Sequence, residues 1–115
     1  MNKKVYNKLI RDRIPEIIEK DGGKAKTRIL DDKEYHEELL KKIVEEAKET
    51  LETKGERKEL TKELGDILEI LDYLIKVFNL DREEIEKVRQ ERKESRGGFD
   101  EKLFLEYTEH KESKK

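Results

Sequence analysis

Between residues 57 and 78 the apolar side chains recur at helical spacing on two sides of one segment, and this double pattern restricts the folds open to the chain. Leu60, Leu64, Ile67, Leu68, Leu71, Ile75 and Phe78 fall on one side at about 100° per residue. Ile70, Tyr73 and Val77 form a second stripe nearly opposite. A helix that is apolar on two sides is sandwiched between two layers. The preceding segment supplies one of them. There Leu39, Leu40, Ile43, Val44, Ala47 and Leu51 form a stripe on a helix expected over about 32–53, and Gly55 marks the link between the two. The second layer is expected to be another copy of the chain, giving a helical homodimer with the segment 57–78 at its centre.

Shorter signals place the rest. Pro15 is tolerated in a first helical turn and Gly22-Gly23 is a stop, so a helix is expected over about 14–20. Residues 25–30 read as extended, and Asp31 or Asp32 caps the next helix. Asp81 with Glu84 reads as a capping box for a fourth helix over about 81–94. Ser95-Arg96-Gly97-Gly98-Phe99 is expected to be a loop. Leu103, Phe104 and Tyr107 are expected to pack a short final element, with 109–115 as a frayed tail. The expectation is an all-α bundle, one domain over 1–115, whose core is completed by homo-oligomerisation.

Composition agrees with a thin core. Half the residues are charged and 32% are apolar, yet the net charge is only -2, unlike the large imbalance typical of disordered chains. Oligomerisation commonly compensates for so small a core. With no cysteine, the chain has no disulfide, thiolate metal site or Cys nucleophile. No apolar run is long enough to span a membrane, and the basic N-terminus lacks a signal-peptide core, so a cytoplasmic protein is expected. The near-neutral charge carries no nucleic-acid signal. Abundant Lys, Glu and Arg with no Cys and one Met fits a heat-adapted source.

The chemistry is expected in four acidic residues. Asp66 lies within the second stripe of 57–78, and Glu63 is one turn before it. Glu46 and Glu49, also three apart, edge the stripe of the preceding helix. In an antiparallel hairpin turning at 53–56 the two pairs differ in height by only about 5 Å. A single E-x-x-E among 22 glutamates is an ordinary solvated face. Two level pairs on neighbouring helices are less casual. Converging carboxylates repel unless a cation intervenes, and their hard oxygens favour magnesium, manganese or calcium. Such a cluster suits phosphoanhydride hydrolysis.

These residues carry a resemblance. Glu45-Glu46-Ala47-Lys48-Glu49 followed by Glu63-Leu64-Gly65-Asp66 reads as E-E-x-x-E then E-x-x-D. This is similar to the signature of the MazG-like all-alpha nucleoside triphosphate pyrophosphohydrolases. The opening Tyr6-Asn7-Lys8-Leu9-Ile10-Arg11-Asp12-Arg13-Ile14-Pro15 and the later Arg96-Gly97-Gly98-Phe99 resemble its phosphoribosyl-ATP pyrophosphohydrolase-like subgroup. The resemblance implies an all-helical subunit that dimerises or tetramerises around a four-helix core. It implies magnesium-dependent cleavage between the α and β phosphates of a nucleotide, with house-cleaning of non-canonical triphosphates as one role. It also implies Glu46, Glu49, Glu63 and Asp66 as ligands of Mg2+ or Mn2+, with Glu45 assisting the metal or orienting water. The sequence departs from the phosphoribosyl-ATP enzymes in having Ile67-Leu68-Glu69, and no histidine, after Asp66.

Phosphates also call for cations. Lys8, Arg11 and Arg13 near the start, and Arg92, Lys93 and Arg96 before the glycine pair, are candidates. Asn7 is a candidate contact to base or ribose, or equally a turn residue. Every one of these has a competing reading as an ordinary surface residue; His36 reads as a helix-face residue, and Tyr73 and Phe78 read as packing groups. The opposing function is a non-catalytic helical module that binds nucleotides or partners.

Overall fold

The computed structural model describes residues 2–111. Four helices, α1 (Ile14–Lys20), α2 (Asp32–Glu52), α3 (Arg57–Val77) and α4 (Arg82–Arg96), make up the regular structure, and no strand occurs among the described residues. The chain divides into two compact units, Met1–Leu80 and Asp81–Lys115.

In the first unit, Pro15 occupies the first turn of α1. The helix closes where Gly22 takes a φ of 89° and the Gly23 amide donates to the Ile18 carbonyl at 2.9 Å. Asp31 starts α2 by accepting from the Glu34 amide at 2.9 Å, which satisfies one of the free donors of a helix start. Residues 25–30 form no regular element. The turn after α2 places Lys54 and Gly55 at positive φ, and Glu56 then caps α3 through the Lys58 and Glu59 amides. α2 and α3 pack together as the expected antiparallel hairpin.

The division of the apolar stripes differs from the expectation. On α2, Leu39 is buried and Ile43 half-buried, whereas Leu40, Val44, Ala47 and Leu51 of the same stripe are exposed. On α3, Leu60, Glu63, Ile67, Ile70, Leu74 and Val77 are buried or half-buried, while Leu64, Leu68 and Leu71 are exposed. The partner helix is about 10 Å wide and covers a narrower arc than the apolar residues occupy. Most of the exposed leucines and valines follow an inward-facing residue by one position. In an antiparallel pair, that one-residue step turns side chains of both helices to the same side of the hairpin. The result is one uncovered apolar side formed by Leu40, Val44, Leu51, Leu64, Leu68 and Leu71. Glu45 and Asp66 precede inward residues and turn to the other side. The acidic residues were expected beside a subunit contact on the Ile70–Tyr73–Val77 stripe; the large uncovered apolar strip lies on the opposite side. Leu39, 3% exposed, is the one apolar residue that counts as buried among the described residues.

In the second unit, Asp81 caps α4 by accepting from the Glu83 amide at 2.9 Å, so the cap bond runs to Glu83 and not to Glu84. α4 extends through Ser95 and Arg96, which were expected in a loop, and ends at Gly97 with φ 83°. The expected final element does not form. Residues 103–111 have no regular structure and Leu103, Phe104 and Tyr107 are exposed, since three apolar residues without a sustained period cannot offset helix nucleation. Of the expected frayed tail, 109–111 are irregular, and 112–115 lie outside the described residues.

Candidate metal centre

The hairpin brings the two acidic pairs level. Glu46, Glu63 and Asp66 each offer a carboxylate oxygen within 4.8 Å of the others. Glu46 and Glu63 are buried, and Asp66 is partly open to solvent. Glu49 lies close enough to exchange a hydrogen bond with Glu46. Three of the acids expected from the sequence, Glu46, Glu63 and Asp66, therefore converge on one flank of the α2–α3 interface, and Glu49 lies one turn along α2 from Glu46.

The electrostatics of this cluster are unfavourable without a cation. Oε2 of Glu46 and Oε2 of Glu63 are buried with no hydrogen-bond partner. Burial, then hydrogen bonds that the protonated Glu46 carboxyl donates toward Glu49 and Glu63, then the charges of Glu49 and Asp66 push the Glu46 carboxyl up to about 7. An unpaired buried carboxylate is costly, and a hard divalent cation would satisfy the orphaned oxygens and cancel the repulsion. The donor set is entirely carboxylate, with open positions toward solvent, which fits magnesium or manganese better than zinc.

The basic residues of the N-terminal segment border the cluster. Arg11 Nη2 donates to Asp66 Oδ1 at 2.9 Å. Lys8 Nζ donates to Glu45 Oε1 at 3.0 Å, and Lys42 Nζ donates to Glu45 Oε2 at 2.9 Å. Partial burial pushes the Glu45 carboxyl up, but its bonds to Lys42 and Lys8 outweigh this and hold it below the usual range. The Glu45 carboxylate raises the Lys8 ammonium in turn. Glu45 thus faces two lysines and stands outside the trio of converging oxygens. Lys42 was not singled out in the sequence, although its i,i+3 spacing to Glu45 was a usable signal.

Asn7 takes a left-handed backbone with φ 46°, a conformation asparagine tolerates better than most residues. Together with Lys8 and Leu9 it walls an open groove of about 530 Å³ against Lys41, Lys48 and Glu49 of α2. Arg13 is exposed at the start of α1. Arg92, Lys93 and Arg96 lie exposed on the last turns of α4, in the second unit. The His36 and Phe78 rings lie tilted with centroids 4.9 Å apart, and the Tyr73 ring lies 5.9 Å from Lys76 Nζ; Tyr73 and Phe78, read as packing groups, are both exposed.

No helix among the described residues is long and apolar enough to cross a membrane. Neither a curated protein nor a solved structure matches the chain significantly. The profile of the phosphoribosyl-ATP pyrophosphohydrolase family matches residues 6–93, a stretch that contains every acidic residue of the cluster and the Asn7–Arg11 segment beside it. Three quarters of this all-helical chain falls within that match, and the chain belongs to the phosphoribosyl-ATP pyrophosphohydrolase family, a family of hydrolases.

Proposed function

We propose that the protein is a divalent-metal-dependent nucleotide pyrophosphohydrolase that adds water across the α–β phosphoanhydride and releases a nucleoside monophosphate and pyrophosphate. The observation that carries this reading is the pair of buried, unpartnered carboxylate oxygens on Glu46 and Glu63 beside Asp66. In this reading Glu46, Glu49, Glu63 and Asp66 hold Mg2+, with Mn2+ as a substitute. The bound cation neutralises phosphate charge and polarises the scissile linkage. Arg11 and Lys8 bring positive charge to the rim where phosphates enter, and Asn7 contributes to the groove beside them. Glu45, held low by two lysines, is suited to orienting water and fixing Lys8, and poorly suited to accepting a proton. Arg92, Lys93 and Arg96, in the second unit, are kept as candidate phosphate contacts for their charge, and Arg96 alone also lies in a stretch that carries the motif resemblance. Both units are taken as one functional domain, because the family match continues past Leu80 into α4.

Phosphoribosyl-ATP itself is not favoured as the substrate, given Ile67-Leu68-Glu69 after Asp66. A non-canonical nucleoside triphosphate is the proposed class, in a cytoplasmic house-cleaning role. The exposed strip of Leu40, Val44, Leu51, Leu64, Leu68 and Leu71 supports a homodimer or homotetramer, since water-exposed apolar area of this kind is stabilised by a second copy.

The test is pyrophosphate release by the purified protein from a panel of canonical and modified nucleotides with Mg2+. Turnover of at least one class is expected, with loss of about a hundredfold or more in Asp66→Asn and Glu49→Gln. Nucleotide-induced thermal stabilisation without any turnover would favour the non-catalytic module instead.

A further inference from the structure

Arg11 reaches the acidic cluster from 55 positions away in sequence, and its bond to Asp66 is the one charge-neutralising contact described for the three converging carboxylates. Its root and its tip behave differently. The Arg11 carbonyl accepts from the Ile14 amide at 3.1 Å, where α1 begins, and the segment is tied down again by Lys8 on Glu45. The backbone beneath Arg11 is therefore anchored on both sides. The guanidinium end is not: 59% of the side chain is exposed, and the bond described for it is a single one, from Nη2 to one Asp66 oxygen. Glu46 and Glu63 keep their orphaned oxygens despite it. One guanidinium at the solvent edge thus offsets the charge of Asp66 and leaves the buried part of the cluster unsatisfied.

Resting on the proposed metal site, we propose that Arg11 is an exchangeable counterion: it holds Asp66 when the cluster lacks metal, competes with the divalent cation for that carboxylate, and is released toward substrate phosphate when the cation binds. The chemistry rests on the two ligands' preferences. Asp66 is the partly open member of the trio, so it is where cation and guanidinium meet. A carboxylate shared with a divalent cation has less charge to offer an arginine. A freed guanidinium, on an anchored root beside the cluster, has the planar donor fork that binds phosphate bidentately. Arg11 thereby links the two binding events, opposing metal on its own and favouring metal that arrives with phosphate.

The test compares wild type, Arg11→Gln, Arg11→Lys and Lys8→Gln by calorimetry, first with Mn2+ alone and then with the Mn2+–pyrophosphate complex. Arg11→Gln is expected to bind Mn2+ alone about two- to fivefold more tightly than wild type. It is expected to bind the Mn2+–pyrophosphate complex about tenfold more weakly. Arg11→Lys is expected between the two for both ligands. Lys8→Gln removes the same charge next to Glu45, and should tighten Mn2+ alone by less. Equal tightening in Lys8→Gln would reduce the effect to net charge and overturn the inference. So would Mn2+ affinity that is unchanged or weakened in Arg11→Gln while wild type binds the metal. Absence of Mn2+ binding by all four proteins, with native circular dichroism, would overturn both the inference and the metal site beneath it.

Discussion

Arg11 Nη2 and Asp66 Oδ1 lie 2.9 Å apart, and this contact joins the N-terminal segment to the cluster where the Glu46, Glu63 and Asp66 carboxylates converge. It sits on the side of the α2–α3 hairpin that Glu45 and Asp66 share, opposite the uncovered strip of Leu64, Leu68 and Leu71. On α3 the acidic cluster and the exposed leucines thereby lie on different sides, whereas on α2 Val44 of the strip also lines the groove beside Asn7 and Lys8.

The cluster should make metal-free stability depend on pH with an unusual sign. The Glu46 carboxyl is raised from its ordinary 4.5 to about 7 in the folded chain. Between those values the folded state binds more protons than the unfolded one, so this group's contribution falls as pH rises and levels off above about 7. Glu46→Gln removes the titration. In chelator, its stability relative to wild type is expected to rise by up to about 3 kcal/mol from pH 5 to pH 8. Chemical denaturation at the two pH values measures this, and a difference that is flat or reversed contradicts it.

Divalent metal should reverse that loss. Mg2+ or Mn2+ at about a hundredfold excess over Kd is expected to stabilise the fold by about 2.7 kcal/mol, seen as a Tm increase of several degrees. Chelator should return the original Tm. Glu63→Gln, which removes one buried ligand oxygen, should abolish most of the increase. Differential scanning fluorimetry with and without metal reads both effects.

Much of the backbone was legible in advance, for local reasons. Pro15 and Gly22 bound α1, Asp31 starts α2, and Gly55 marks the break before α3; each acts through its own φ or its own hydrogen bond. The convergence of Glu46 with Glu63 and Asp66 was legible because helical rise and a short turn leave little freedom. The sides were harder. Which part of a broad apolar arc meets α2 depends on the axial rotation of both helices, so Leu64 and Leu68 were grouped with Leu60 and Ile67 although only the latter pair is covered. Lys8 with Glu45 and Arg11 with Asp66 span 37 and 55 positions, and no periodicity reports on pairs that distant. Leu103, Phe104 and Tyr107 were over-read, since a brief apolar cluster does not specify an element.

The turn chemistry gives a stability test independent of the site. Gly55 has φ 83°, so Gly55→Ala places a side chain in the left-handed region and should cost about 1 kcal/mol or more. Asp31→Ala removes the acceptor for the Glu34 amide and should cost about 1 kcal/mol. Urea midpoints of the two variants check these values, and neither variant should alter metal affinity.

The uncovered strip makes a prediction about assembly. Leu68 is 63% exposed at the middle of that side. Leu68→Lys should shift the protein from an oligomer toward a single-chain mass in sedimentation velocity, while Lys8→Gln on the opposite side should not. A wild-type protein that sediments as a monomer at tens of micromolar would remove the basis for a self-associating face.

The central claim is that the Glu46–Glu63–Asp66 cluster supports metal-dependent cleavage of a nucleotide at its α–β linkage, and phosphorus NMR of the products tests it most directly. With Mg2+ present, one or more triphosphates should give nucleoside monophosphate and pyrophosphate in equal amounts, with no turnover in chelator or in Asp66→Asn. Turnover that persists in chelator, products of nucleoside diphosphate and phosphate, or full activity in Asp66→Asn would contradict it.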